Sequence, residues 1–266
     1  MSARQEMLAL VERWDRQQEG YIKQRDERFN VMFDILAHVF GDRFTVVDAA
    51  CGPGSLTRRL LDRFPAAKVV AIDADVMLLD LARASLADYG DRVHVVEADL
   101  ADPSWAERAR DAAETLGGRP PVALVSTTAL HWLSPGGLAE FYGAAGALLA
   151  NGGVVMNGDH MRFDARWPTL ASAAAAWRDR MLKEAVDAGE DDWEAWWRRV
   201  ADIPALSELK TRRDAFFASR PAKRPTSNVD CSVDFHVAAL RHAGFVEVGT
   251  AWQAFDNYIV FGRRPE

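Results

Sequence analysis

Val46-Val47-Asp48-Ala49-Ala50-Cys51-Gly52-Pro53-Gly54-Ser55-Leu56 joins an apolar run to a helical stretch through a turn that holds two glycines. Glycine has no Cβ to hold a ligand off, so a strand that enters such a turn and leaves as a helix brings its backbone close to whatever binds there. Ile72-Asp73 closes the next apolar run. An acid roughly twenty residues beyond a glycine turn is placed to accept both hydroxyls of a ribose. A nucleoside is therefore the expected ligand. Dinucleotide folds use the same device, but the third glycine of G-x-G-x-x-G is missing, with Thr57 in its place. That glycine lets a helix pack closely beneath a pyrophosphate, so a nicotinamide-dependent oxidoreductase is the disfavoured alternative. The following run ends Glu97-Ala98-Asp99-Leu100, which puts a carboxylate and a backbone amide where an adenine ring would lie.

Working outward, residues 44–160 alternate short apolar runs with helical periodicity. Phe44–Val47, Val69–Ile72, Val93–Val96, Val122–Ser126 and Val154–Asn157 read as strands, with helices over Leu56–Phe64 and Met77–Leu86 between them. Fully apolar short strands separated by helices are what a parallel sheet covered on both faces requires. Residues 1–40 carry apolar positions three or four apart and read as a helical lid, ahead of a core over 41–160. From 161 to 232 the strand signal gives way to an Ala-, Arg- and Trp-rich helical insertion, and 233–266 complete the core. That last stretch offers a helix, Val233–His242, a stop at Gly244 and two runs, Val246–Phe255 and Tyr258–Gly262. Asp256-Asn257 between the runs predicts a tight turn and an antiparallel pair. The fold expected is α/β and Rossmann-like, a mostly parallel sheet with an antiparallel last strand, carrying an N-terminal helical lid and a helical insertion.

Composition bounds the function. The chain has 266 residues, 49% of them hydrophobic and 27% charged, which excludes a mostly disordered polymer. A net charge of −7 supplies no basic field for nucleic acid. Two cysteines, Cys51 and Cys231, cannot build a disulfide framework, and no apolar run reaches the ~18 residues of a membrane span. A cytoplasmic protein is expected, without membrane or nucleic-acid partners.

With four motifs in order over residues 44–160 and a matching last thirty or so, the sequence resembles the class I S-adenosylmethionine-dependent methyltransferases. The resemblance implies S-adenosylmethionine as cofactor. It places Asp48, Gly52 and Gly54 along the methionine moiety, Asp73 on the ribose and Asp99 on the adenine amine, with Ala74, Leu100 and Thr127 as further contacts. Ala50 departs from the usual first glycine of D-x-G-x-G-x-G, and alanine there calls for a negative φ. In related small-molecule enzymes an N-terminal helix covers the cofactor, so Arg28 is expected on the methionine carboxylate and Tyr21 at the pocket's mouth.

The fourth strand leads into Ala129-Leu130-His131-Trp132-Leu133, similar to a stretch of trans-aconitate-methyltransferase-like enzymes. Open α/β sheets bind ligands at the carboxyl ends of their strands, which sets His131 and Trp132 near the reacting methyl. His160 follows the fifth strand at the same edge. His131 and His160 are the candidate catalytic bases, and Trp132 with Trp197 of the insertion the candidate acceptor contacts. N-P-P-Y and D-P-P-Y are absent after the fourth strand, where Ser126-Thr127-Thr128 stands, which argues against DNA bases or glutamine amides as acceptors. No paired-acid pattern marks a metal site. The expected partner is a small organic molecule bearing a hydroxyl, carboxylate or activated carbon, in keeping with specialised metabolism. A non-catalytic nucleoside-binding or assembly protein of the same fold is the alternative outside enzymes.

Overall fold

The structure, a computed structural model, describes residues 2–22, 24–220 and 231–266; residues 1 and 23 of the expected lid and 221–230 of the expected insertion lie outside them. Seven strands form one sheet: β1 (Thr45–Ala49), β2 (Lys68–Asp73), β3 (Val93–Glu97), β4 (Ala123–Thr127), β5 (Val154–His160), β6 (Glu247–Ala254) and β7 (Asn257–Arg263). They lie in the order β3-β2-β1-β4-β5-β7-β6, with the first five parallel and β7 antiparallel to both of its neighbours. This is the mostly parallel sheet expected from the sequence. Strand order reverses between β1 and β4, which opens a crevice at their carboxyl ends.

Alternating side chains give the central strands β1, β2, β4 and β5 two buried faces. Val47, Ala49, Val70 and Ile72 join one cluster with Trp105 of α5 (Trp105–Thr115), Phe141 of α6 (Pro135–Leu148) and Leu240 of α10 (Val233–His242). Val46, Val69 and Ala71 join the other with Met32 of α2 (Arg25–Phe40), Leu60 of α3 (Ser55–Arg63) and Leu79 of α4 (Val76–Leu86).

A third cluster ties the amino terminus to the insertion. The insertion's helices are α7 (Pro168–Asp187), α8 (Trp193–Ala201) and α9 (Ser207–Ala218). Leu10, Val11 and Trp14 of α1 (Ala3–Tyr21) pack with Leu78 and Leu81 of α4 and with Trp196 and Val200 of α8. The Trp196 Nε1 donates to the Leu10 carbonyl at 3.0 Å, so the buried indole leaves no unpaired donor. Ser2 starts α1 with a capping box, its hydroxyl accepting from the Gln5 amide while the Gln5 side chain accepts from Ser2.

Two local expectations are corrected. Ala50 sits at φ 59°, not at negative φ, because the chain must turn sharply for Cys51 N to donate to the Ile72 carbonyl at 2.8 Å. A left-handed alanine costs about 1–2 kcal/mol, held here by the strand register. The hairpin turn is Phe255-Asp256, not Asp256-Asn257; Asn257 already pairs with Ala254 and His160, and Phe255 takes the left-handed position at φ 51°.

Candidate active site

One end of the crevice is built on β1, β2 and β3. Gly52 and Gly54 both have positive φ, and a Cβ at Gly52 would meet nothing nearer than the Trp14 ring at 3.9 Å. Asp73 ends β2 with one carboxylate oxygen accepting from Gly52 N and the other from Asp75 N, each at 2.8 Å. Burial lifts its pKa to about 6 against the pull of those amides. Asp48 is more isolated. It is buried in β1 and accepts one side-chain hydrogen bond, from the Thr57 hydroxyl at 2.6 Å. Burial, with the Asp73 charge adding to it, raises its pKa to about 7. The residue that breaks the dinucleotide motif is therefore the one that satisfies this carboxyl.

Beside Asp73 a cavity of about 200 Å³ is lined by Ala74, Val76, Ala98 and Asp99. An acid at the β2 end, a glycine turn open on one side and a small slot with Ala74, Val76 and Ala98 on one wall and a second acid, Asp99, beside them suit the parts of an adenosine. Leu100 packs against the core beside α5, and Thr127 ends β4 paired with Gly158.

The second end lies over β4, β5 and β7. Asp159 is buried, and its carboxylate accepts from His131 Nδ1 at 2.8 Å, from the His131 backbone N at 3.1 Å and from His160 N at 2.8 Å. Burial opposes its charge, but His131, His160 and Arg28 outweigh burial and hold the carboxyl well below the usual range. An ionised carboxylate can only accept, so Nδ1 of His131 carries the proton and Nε2 is left as an acceptor. Trp132, 60% exposed, lies beside it with ring centroids 5.6 Å apart. Among the described residues neither buried ring nitrogen of His160 finds a hydrogen bond, its Nδ1 lying 3.7 Å from Asp256. Asp256 is held in turn by Arg178 of α7.

Arg28 reaches this end from α2. It is fully buried and donates to Asn257 Oδ1 at 2.8 Å and to the Thr128 hydroxyl at 2.6 Å. Burial draws its pKa down to about 9. Thr128, a β-branched residue at φ 57°, carries backbone strain between β4 and His131.

Tyr21 and Trp197 lie where α1 meets the insertion. The Tyr21 hydroxyl accepts from Trp193 N at 3.0 Å and fastens the end of α1 to α8. Trp197 packs against Trp193 and Trp196 and carries Arg213 over its ring at 3.7 Å. Near the glycine turn the sequence reading missed Asp15, which pairs with Arg25, Arg58 and Arg59 at 2.9, 2.9 and 3.1 Å. It missed Asp159 too, whose signal was a lone acid inside an otherwise uncharged run ending in His160. Among the described residues no group of three or more His, Cys, Asp or Glu is arranged to hold a metal, and no helix is long and apolar enough to cross a membrane.

Residues 46–153 match a family model described as a methyltransferase domain. The chain is 38% identical over 122 residues to a trans-aconitate 2-methyltransferase of Azoarcus sp. (strain BH72), covering 45% of this chain and 41% of that one. It is 32% identical over 163 residues to one of Paracidovorax citrulli, covering 60% and 56%. The chain thus matches between about two fifths and just over half of those relatives' length. An O-methyltransferase family protein from Burkholderia thailandensis superposes with a TM-score of 0.55 at 18% identity, over 98% of this chain and 70% of that one. Magnesium protoporphyrin IX methyltransferase from Synechocystis PCC 6803, solved with bound SAH, gives 0.51 at 14% identity, over 94% and 93%.

Proposed function

We propose that this chain, whose residues 46–153 form a class I methyltransferase domain, methylates a small organic acceptor over the carboxyl ends of β4 and β5. In this reading Gly52, Gly54 and Asp48 hold the methionine part of the cofactor, Asp73 the ribose, and Ala74, Asp99 and Leu100 the adenine, with Thr127 at the β4 edge. Bound there, S-adenosylmethionine supplies a methyl group activated by a sulfonium charge. Residues 1–40 serve as lid, 161–232 as insertion and 233–266 as the completion of the core, in a reducing, cytoplasmic compartment that suits two cysteines not joined in a disulfide.

The observation that carries the chemistry is the 2.8 Å His131–Asp159 pair. Asp159 fixes the imidazole so that Nε2 can take a proton from a hydroxyl or an acidic carbon. His160 is a second base candidate at the same edge, and Trp132 and the Arg28-held Thr128 shape the mouth. Alignment of the reactants can supply about 7–11 kcal/mol, while a positioned base adds ~10²–10⁴-fold. An acceptor with a removable proton therefore predicts that His131→Ala and Asp159→Asn each slow turnover ~10²–10⁴-fold. Affinity for S-adenosylhomocysteine should stay unchanged.

A second reading, a carboxylate acceptor, draws on Arg28, whose Nε has no hydrogen-bond partner among the described residues, and on the acceptor in the relatives' name, trans-aconitate. A carboxylate needs no base, so undiminished turnover in both variants would select it over the first. Separate calorimetric titrations with S-adenosylhomocysteine and NAD test the donor; binding of NAD alone would sink both readings.

A further inference from the structure

The insertion reaches the nucleoside end through α9. Three arginines of α9 and the residues just after it pair with acids at the ends of β2 and β3: Arg212 with Glu97 at 2.9 Å, Arg213 with Asp75 at 2.6 Å, and Arg220 with Asp99. The first pair is solvent-exposed and adds little. The second is fixed on every side. Asp75 is buried, caps α4 by accepting from Met77 N at 3.0 Å, and faces a guanidinium held between Trp197 at 3.7 Å and Phe217 at 4.8 Å. With α9 anchored there, Arg213 and Phe216 form the wall of the cavity opposite Ala74, Val76, Ala98 and Asp99.

The third pair sits where a base would have to go. The Arg220 guanidinium lies over the Phe216 ring, 4.2 Å from its centroid, and its charge neutralises Asp99. One cation thus covers both the flat aromatic face and the acceptor oxygen that a purine with an exocyclic amine would use.

Resting on the reading of this end as the adenosine site, we propose that α9 is the outer wall of that site, with Phe216 the stacking face for adenine. Arg220 is a stand-in for the base: it holds Asp99 and Phe216, and the 6-amino edge displaces it. The cofactor is recognised by exchange with an internal cation, and part of its affinity is lost to that competition.

The test is calorimetric titration of S-adenosylhomocysteine into the full chain, with thermal unfolding as the check on folding. Phe216→Ala should weaken binding by about 5- to 150-fold, the range for loss of a base–aromatic stack. Phe216→Leu, which keeps apolar bulk without a ring face, should weaken it in the same direction and serves if the alanine variant does not fold. Arg220→Gln should tighten binding by about two- to fivefold, the worth of a partly exposed ion pair. Wild-type affinity should rise with salt as the competing pair is screened, and that dependence should vanish in Arg220→Gln. Unchanged affinity in both Phe216 variants overturns the wall, and weaker binding in Arg220→Gln overturns the exchange by making Arg220 a ligand. A wild-type protein that binds no S-adenosylhomocysteine overturns the methyl-donor reading along with this one, whereas normal wild-type binding unaffected by the variants overturns this inference alone.

Discussion

Asp48→Asn should stabilise the protein while impairing its site. Asp48 lies in the middle of the sheet with the Thr57 hydroxyl as its side-chain donor and Asp73 adding like charge. Its folded pKa of about 7 stands above the ordinary 3.8 it regains on unfolding. Between those values the unfolded chain has released a proton that the folded chain still binds, so stability falls as pH rises. The slope is about 1.4 kcal/mol per pH unit. Across the window from near pH 4 to near pH 7 the loss reaches about 4 kcal/mol and then levels off. Asparagine presents the same oxygen to Thr57 and has no charge to bury. The variant should match wild type near pH 4 and exceed it by up to about 4 kcal/mol near pH 8. It keeps only the shallower decline set by Asp73, whose folded pKa is about 6. Urea unfolding followed by tryptophan fluorescence at several pH values reads this directly. Parallel stability curves for the two proteins across that range would refute the burial of an unpaired carboxyl at position 48. Calorimetry on the same variant should show weaker binding of S-adenosylhomocysteine, because the carboxylate that suits a cationic methionine moiety is gone.

Gly158→Ala would place a methyl 2.8 Å from Met32 Cε and 3.0 Å from Arg28 Cδ and Nε. Met32 can swing away, but Arg28 is held by two hydrogen bonds, so overpacking should cost about 1–3 kcal/mol in urea unfolding. A change under about 0.5 kcal/mol would mean that α2 shifts freely. Trp196→Ala removes a fully buried indole that touches Trp14 and Trp197 and bonds the Leu10 carbonyl. The expected cost is about 3–5 kcal/mol, localised so that amides of residues 3–21 exchange faster than those of β1 and β4. Unaltered protection of α1 would count against the lid depending on the insertion.

What the sequence reveals follows from how far apart the cooperating residues lie. The glycine turn and Asp73 are readable because a tight strand–helix turn and a ribose-binding acid have a fixed separation along the chain. The same turn hides the sign of φ at Ala50, which is decided by the hydrogen bond from Cys51 to Ile72 of the neighbouring strand. The hairpin turn slips by one residue for a like reason. Asp256 is engaged by Arg178 from a helix 78 residues earlier, and Phe255 packs on Trp177 with centroids 4.6 Å apart. His131 is legible from its place at the end of β4. Its orienting partner is 28 residues away and is brought to it only by the β4–β5 register, in which Thr127 pairs with Gly158.

The insertion is where local pattern says least. Trp193, Trp196 and Trp197 announce a helix by their spacing, but whether they face a ligand or a core depends on α1, which begins almost two hundred residues earlier. Trp196 proves to be core. Apart from Phe216, the residues of the insertion that meet the crevice are charged ones: Arg178 on Asp256 at the β4–β5 end, and Arg213 and Arg220 on Asp75 and Asp99 at the β2–β3 end. Isolated arginines on a helix read as a solvated face, so their sequence gives no sign of this. The physical reason for their choice lies across the crevice, where acids at the ends of β2 and β3 and at the β6–β7 turn leave negative charge that the insertion must neutralise to close over the sheet.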